Sequence, residues 1–126
     1  MEMGFNRDLR RATDRIIDAD SVTIISHIDA DGISTEAILA QAIAREEIPV
    51  ESIFVRQLEP VAMRHVPRDD SLKLFADLGA GQQNLIEEHG LSVDEVLIID
   101  HHVSQPCGTD YSQVNCLDYG ITRMSA

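Results

Sequence analysis

The chain has 126 residues, of which 44% are hydrophobic, and it carries a formal net charge of -12. This length supports one hydrophobic core, and no apolar run is long enough to span a bilayer. Because 22 acidic residues stand against 10 basic ones, the composition argues against a stand-alone nucleic-acid clamp, which would need a basic surface.

The N-terminus lacks the apolar core of a signal peptide, so we expect a cytoplasmic location. Cys107 and Cys116 have no CxxC spacing, and in a reducing compartment we expect them to be free thiols.

An amphipathic helix is predicted at the N-terminus. Its apolar residues recur at helical spacing, at Phe5, Leu9, Ala12, Ile16 and Ile17. The arginines of this segment fall mostly on other faces, at Arg7, Arg10, Arg11 and Arg15. They could contact a phosphate backbone, but a solvated helix face is the favoured interpretation.

Alternating strands and helices are predicted after this helix. Short apolar or β-branched runs indicate strands at 22–25, 52–55, 72–75 and 96–99. Helical patterns begin at Gly32, ending before Pro49, and at Gly81, closed by Gly90. The polar stretch 57–70 predicts a loop around a short helix. This alternation predicts an α/β fold, a parallel sheet with helices on both faces.

Three of the predicted strands stop at carboxylates or imidazoles. The motifs are SHIDADG at 26–32, FADLG at 75–79 and IIDHH at 98–102. Ligands bind beyond the carboxyl ends of the strands in open parallel sheets, so these motifs are expected to converge on one pocket. Aspartate oxygens together with histidine nitrogens form a ligand set for a divalent transition metal.

Three of the four aspartates in these motifs also have a structural interpretation. Asp29 and Asp31 are two residues apart, so both carboxylates can reach one side of a strand end. Their alternative is an Asx turn in which Asp31 and Gly32 start the next helix. For Asp77 the alternative is a helix N-cap or a turn acid.

The histidines divide in the same way. His27 has the same strand parity as Asp29, and its alternative is to orient the strand end by hydrogen bonds. His101 and His102 would point to opposite faces of a continuing strand, so both need not bind metal. His65 and His89 lie in polar surroundings and are expected at the surface.

The three motifs, in this order, resemble the first three motifs of the DHH phosphoesterase superfamily, named for the triplet that stands here at 100–102. The HxDADG form of the first motif is similar to archaeal RecJ-like exonucleases. A further stretch at 114–121, together with Ser125 and Ala126, resembles the asparagine- and glycine-containing segment that follows the triplet in that subgroup. The resemblance therefore runs from about Val22 to the last residue.

This resemblance implies a site with two Mn²⁺ ions, for which Mg²⁺ or Co²⁺ could substitute. Asp77 is expected to bridge the ions, and His102 to contact the substrate phosphate or to support a ligand. The implied metal ligands are His27, Asp29, Asp31, Asp77, Asp100 and His101. The implied catalytic residues are Asp77, Asp100, His101 and His102.

The implied activity is metal-dependent phosphodiester hydrolysis by a water that two ions activate. RecJ-like members act as exonucleases on single-stranded DNA or RNA, which makes such a strand or a short oligonucleotide the expected substrate. Two alternatives stay open: a phosphoesterase for oligonucleotides, cyclic dinucleotides or pyrophosphate, and a non-catalytic scaffold. A replication or repair protein is a further partner suggested by the resemblance, whereas no membrane association is expected.

Family members continue with another metal-binding aspartate and a smaller substrate-binding domain, which have no counterpart in residues 1–126. We therefore expect these residues to be the N-terminal portion of a DHH domain, which alone binds metal weakly and is inactive or nearly so. The acidic charge has three open explanations: ligands neutralised by metal, a basic surface supplied by the absent portion, or a saline cytoplasm.

Overall fold

A computed structural model describes residues 2–115 of the chain. The main elements, in order, are α1 (Glu2–Asp18), β1 (Val22–His27), α2 (Ala30–Arg45), β2 (Val50–Val55), α3 (Pro60–Met63), β3 (Leu72–Ala76), α4 (Gln83–Glu88), β4 (Val96–Asp100) and β5 (Ser112–Asn115). Short 3-10 turns at Ala80–Gln82 and Val93–Glu95 precede α4 and β4. Within the described range, every helix is too short or too polar to cross a bilayer. The part of the resemblance at 116–121, together with Ser125 and Ala126, lies outside the described residues.

The five strands form one sheet in the order β2-β1-β3-β4-β5, and all neighbouring pairs are parallel. Every residue of β3 is buried, and so is all of β1 except His27 at its end. Strands covered on both faces need continuous apolar runs, which is why these segments lack strict alternation. The predicted α/β class is confirmed.

Helices cover the two faces of the sheet with separate hydrophobic cores. On one face, α1 and α2 pack through Ala12 and Ile43 on strand residues that include Ile24. On the other face, α3 and α4 pack through Met63 and Ile86 on strand residues that include Ile25. Ile24 and Ile25 therefore belong to opposite cores, as the period of two in a strand requires.

The structure differs from the predicted elements at several points: β2 begins at Val50, two residues before the predicted strand, and the helix predicted from Gly81 is a 3-10 turn followed by α4 from Gln83. Strand β5 was not predicted, because Ser112–Asn115 is short and mostly polar and becomes a strand through its pairing with β4. The second predicted helix begins at Ala30, two residues before Gly32.

Arg15 does not fit the solvated face predicted for the α1 arginines. Its guanidinium donates to the carbonyl oxygens of Val96, Val93 and Asp94, at 2.7, 3.1 and 2.9 Å. Burial lowers the pKa of Arg15, and the negative charge of Asp94 opposes that shift. Arg15 thus fastens α1 to the start of β4, whereas the side chain of Arg7 is 64% exposed, as predicted.

Candidate metal site

The ends of three neighbouring strands bring the predicted residues together. His27 ends β1, Asp77 follows β3 directly, and Asp100 ends β4. Since β3 lies between β1 and β4 in the sheet, Asp77 stands in the middle of the three. All three strands run in the same direction, so these residues share the carboxyl edge of the sheet.

Asp77 has an unusual backbone as well as a central position. Its φ angle is +63°, in the left-handed region, which aspartate tolerates better than most residues but at a cost of about 1 kcal/mol. Its amide donates to the carbonyl of Ile99 at 2.9 Å, so the turn stays attached to β4. A strained and buried aspartate at a strand end is typical of a functional site.

The Asp77 carboxylate reaches a histidine from each neighbouring strand. Its Oδ1 lies 2.7 Å from Nε2 of His101, and its Oδ2 lies 3.6 Å from Nδ1 of His27. The N-cap alternative does not describe this geometry, because the carboxylate faces imidazoles and the following 3-10 turn is preceded by Gly79. The two oxygens of one buried carboxylate therefore each face an imidazole nitrogen of a different histidine.

Asp100 is also buried, and both of its oxygens accept hydrogen bonds. Oδ1 accepts from the backbone amide of His101 at 2.8 Å and lies 2.6 Å from Nδ1 of His102. Oδ2 accepts from the amide of Ala80 at 3.1 Å. These contacts fix the carboxylate plane and hold His102 against it, while the His102 side chain remains 49% exposed.

The ligand atoms form two groups, in each of which all atoms lie within 4.8 Å of one another. One group contains Asp77, Asp100, His101 and His102. The other contains His27, Asp29 and Asp77. Asp77 is common to both, and the mixture of carboxylate and imidazole suits a divalent transition metal such as Mn²⁺.

The first motif is divided between the site and the start of α2. Asp29 is the N-cap of α2, and its side chain accepts from the amide of Gly32 at 2.8 Å. The Asx-turn alternative is therefore only partly correct: the Asp29 side chain does bond the backbone ahead of it, but as the N-cap of a helix that begins at Ala30, before Asp31 and Gly32. Asp29 also belongs to the second group. Asp31 is exposed in the first turn of α2 and belongs to neither group of described residues, so its ligand role stays a prediction.

Ser26 and Gly32 have positioning roles that the sequence did not reveal. The buried Ser26 hydroxyl lies 2.9 Å from the carbonyl oxygen of Gly32 and 3.0 Å from that of Ala76, joining the ends of β1 and β3 to α2. Gly32 passes so close to β1 that a Cβ there would lie 2.1 Å from the carbonyl oxygen of His27. The sequence signal for this close approach was a glycine directly after the acidic segment 29–31.

The remaining histidines lie outside the two groups. His65 is exposed, as predicted. His89 is half-buried, and its Nε2 lies 3.2 Å from the carbonyl oxygen of Val66, so the prediction of a surface residue is only partly correct.

The fold and the site together define an α/β protein whose parallel sheet presents two overlapping Asp/His groups at its carboxyl edge, and these groups could hold a metal. No family model matches the chain. An uncharacterised protein of Methanocaldococcus jannaschii is 28% identical over 85 residues, which cover 64% of this chain and 19% of that protein.

Two solved structures share the fold. RecJ from Thermus thermophilus in complex with Mn²⁺ has a TM-score of 0.64, and a second structure, exonuclease RecJ bound to manganese, has a TM-score of 0.70. Both are 18% identical and cover 90% of this chain, which spans 17% and 31% of their respective lengths. The chain therefore has a fold like that of one part of RecJ.

Proposed function

We propose that this chain forms the metal-binding part of a DHH-superfamily phosphodiesterase, a RecJ-like exonuclease for single-stranded DNA or RNA. The observation that carries the proposal is the position of Asp77 in both Asp/His groups. A carboxylate shared between two ligand groups suits a pair of neighbouring metal ions, because each of its two oxygens can bind one ion. The two RecJ structures of similar fold contain manganese, which supports Mn²⁺ as the ion.

The two groups suggest how the ligands are divided. His27 and Asp29 would hold one ion, Asp100 and His101 would hold the other, and Asp77 would bind both. Asp31 would complete the set from the first turn of α2. When bound, the ions would polarise the phosphate and lower the pKa of a water towards neutrality.

His102 is the residue of the site best placed to meet the substrate. Its Nδ1 faces Asp100, so Nε2, on the opposite edge of the ring, faces away from that carboxylate. The ring is half-exposed and can hold a phosphate oxygen or pass a proton to the leaving oxygen. Asp100 would keep the ring in this orientation, as carboxylates do for functional histidines.

Arg56 adds a positive charge at the same edge of the sheet, and the sequence analysis missed it. It directly follows β2, and its neighbour Val55 accepts from the amide of Ile28, the residue after His27. Arg56 is exposed, so its guanidinium can pair with a phosphate oxygen of a substrate. The sequence signal for this role was a basic residue directly after the predicted strand 52–55.

A titration with Mn²⁺ tests the shared ligand. Asp77→Asn keeps a residue that tolerates positive φ, and it should lose both ions because the bridging charge is gone. Asp29→Asn keeps a good N-cap, and it should weaken one ion only. Asp70→Asn, at an exposed aspartate outside both groups, is the matched control. Equal loss of affinity in all three variants, or none in Asp77→Asn, would contradict the assignment.

The activity itself is tested on the complete natural protein that contains this sequence. Labelled single-stranded DNA and RNA, a dinucleotide and pyrophosphate are supplied with Mn²⁺, with Asp100→Ala as the inactive control. Stepwise degradation of a polymer that disappears in the variant supports the exonuclease. Cleavage of the small substrates alone favours the small-substrate phosphoesterase, and no hydrolysis at all favours a scaffold.

A further inference from the structure

Asn115, at the end of β5, reaches the histidine triplet from outside the proposed ligand set. It is paired in register with Asp100 on the neighbouring strand, and its side chain is completely buried. Its Nδ2 donates to the carbonyl oxygen of His102 at 2.7 Å. A side chain of β5 thus holds the backbone of a residue that lies just beyond the end of β4.

The loop after His102 has further hydrogen bonds to its surroundings. The Ser104 hydroxyl lies between Nε2 of Gln83, at 2.9 Å, and Nε2 of Gln113, at 3.1 Å. The amide of Gln105 donates to the carbonyl oxygen of Ala80 at 2.8 Å. Gln113 and Asn115 are two apart on β5, so they face this loop from the same side of the sheet.

We propose that Asn115 is a positioning residue for the proposed hydrolysis. It fixes the His102 peptide so that the imidazole stays on Asp100 with Nε2 directed to the substrate. The ring is half-exposed, and its contact with Asp100 at 2.6 Å is short, so a shift of the backbone would move the imidazole off the carboxylate. This inference rests on the proposed function, because the substrate-facing role of His102 belongs to it.

The choice of residue at 115 follows from hydrogen-bond chemistry. A carbonyl oxygen needs a donor, which the carboxamide of asparagine supplies and the carboxylate of aspartate does not. The short side chain has few torsions, so the position of β5 is transmitted to the loop with little freedom. Asn115→Leu keeps the approximate shape and removes the donor, and Asn115→Ala is the second variant if leucine prevents folding.

The first measurement is the kinetics of the complete protein. Both Asn115 variants should lower kcat about 10- to 100-fold, as the loss of an orienting partner does, while KM and the Mn²⁺ concentration for half-activity stay unchanged. Thr23→Val is the matched control, because it removes a buried hydrogen bond to Ser71, 2.8 Å long, at the far end of β1. The control should leave kcat unchanged even where it lowers stability.

The second measurement needs no activity. In the 126-residue chain, the carbonyl ¹³C resonance of His102 should move in Asn115→Leu and stay in place in Thr23→Val. An unchanged resonance overturns the contact. An unchanged kcat in the Asn115 variants overturns the positioning role. The role is also overturned if Mn²⁺ affinity falls together with kcat, or if Thr23→Val lowers kcat by the same factor. If the complete protein without substitutions is inactive, the proposed function fails, and the positioning role of Asn115 in hydrolysis fails with it. The carbonyl resonance still decides whether Asn115 holds His102.

Discussion

Replacing Gly32 with alanine should damage both the fold and the site. Gly32 lies in the first turn of α2, where the helix passes the end of β1. An added Cβ would lie 2.1 Å from the backbone oxygen of His27 and 2.7 Å from its carbonyl carbon. Both atoms belong to the backbone of a central strand, so they cannot turn aside as a flexible side chain would.

The size of the effect follows from these distances. Ordinary van der Waals contact with such a Cβ begins at 3.4 Å, so α2 and β1 must separate by about 1.3 Å. Overpacking of this kind costs about 1–3 kcal/mol. The Asp29 cap, which accepts from the Gly32 amide, moves with the helix and draws its carboxylate away from His27 and Asp77. A displacement of about 1 Å can reduce catalysis about 100-fold.

Urea unfolding and a Mn²⁺ titration measure the two consequences separately. Gly81→Ala is the matched control, because its Cβ would meet only the carbonyl oxygen of Val103 at 3.4 Å, an ordinary contact. We expect Gly32→Ala to unfold at a lower urea concentration and to bind Mn²⁺ less tightly, and Gly81→Ala to match the parent. If Gly32→Ala unfolds at the same urea concentration as the unsubstituted chain, the close approach of α2 to β1 is wrong, whatever the result of the Mn²⁺ titration.

Two further substitutions test contacts outside the site. Arg15→Ala removes one hydrogen-bond donor from each of three carbonyl oxygens, although the oxygen of Val93 still accepts from the Val96 amide. The substitution should lower the free energy of unfolding by about 1–3 kcal/mol. Arg7→Ala, at an exposed position, should change that free energy by less than about 0.5 kcal/mol, and equal effects of the two variants on urea unfolding would refute the role of Arg15. Hydrogen bonds from Ser71, and to a smaller extent from Lys73, lower the pKa of Asp69 in the folded protein below its ordinary value of 3.8. The ionised carboxylate therefore contributes its whole stabilisation above pH 3.8, and this stabilisation is lost as the pH falls through the pKa of Asp69 in the folded state. Asp69→Asn should lower the free energy of unfolding by less than about 1 kcal/mol near neutral pH, because the carboxylate is mostly exposed. In acid unfolding curves, the stability difference between this variant and the unsubstituted chain should narrow below pH 3.8. A difference that does not change with pH would refute the role of the Asp69 carboxylate.

Much of the fold could be predicted because the signals are local. The buried strands β1, β3 and β4 show as continuous apolar runs that end abruptly at polar residues. Strand direction then follows from the alternation with helices, and the shared edge follows from strand direction. Polar β5 escaped prediction because its strand state depends on a partner distant in sequence.

The sequence by itself determined the class of fold and which short motifs would meet, since hydrophobic periodicity and chain direction are properties of neighbouring residues. Only the tertiary structure decided that Asp77 stands between His27 and His101, because strand order is set by packing across the sheet. It also decided that Asn115 reaches His102. These contacts depend on distances of a few ångströms between segments that the chain sequence leaves far apart.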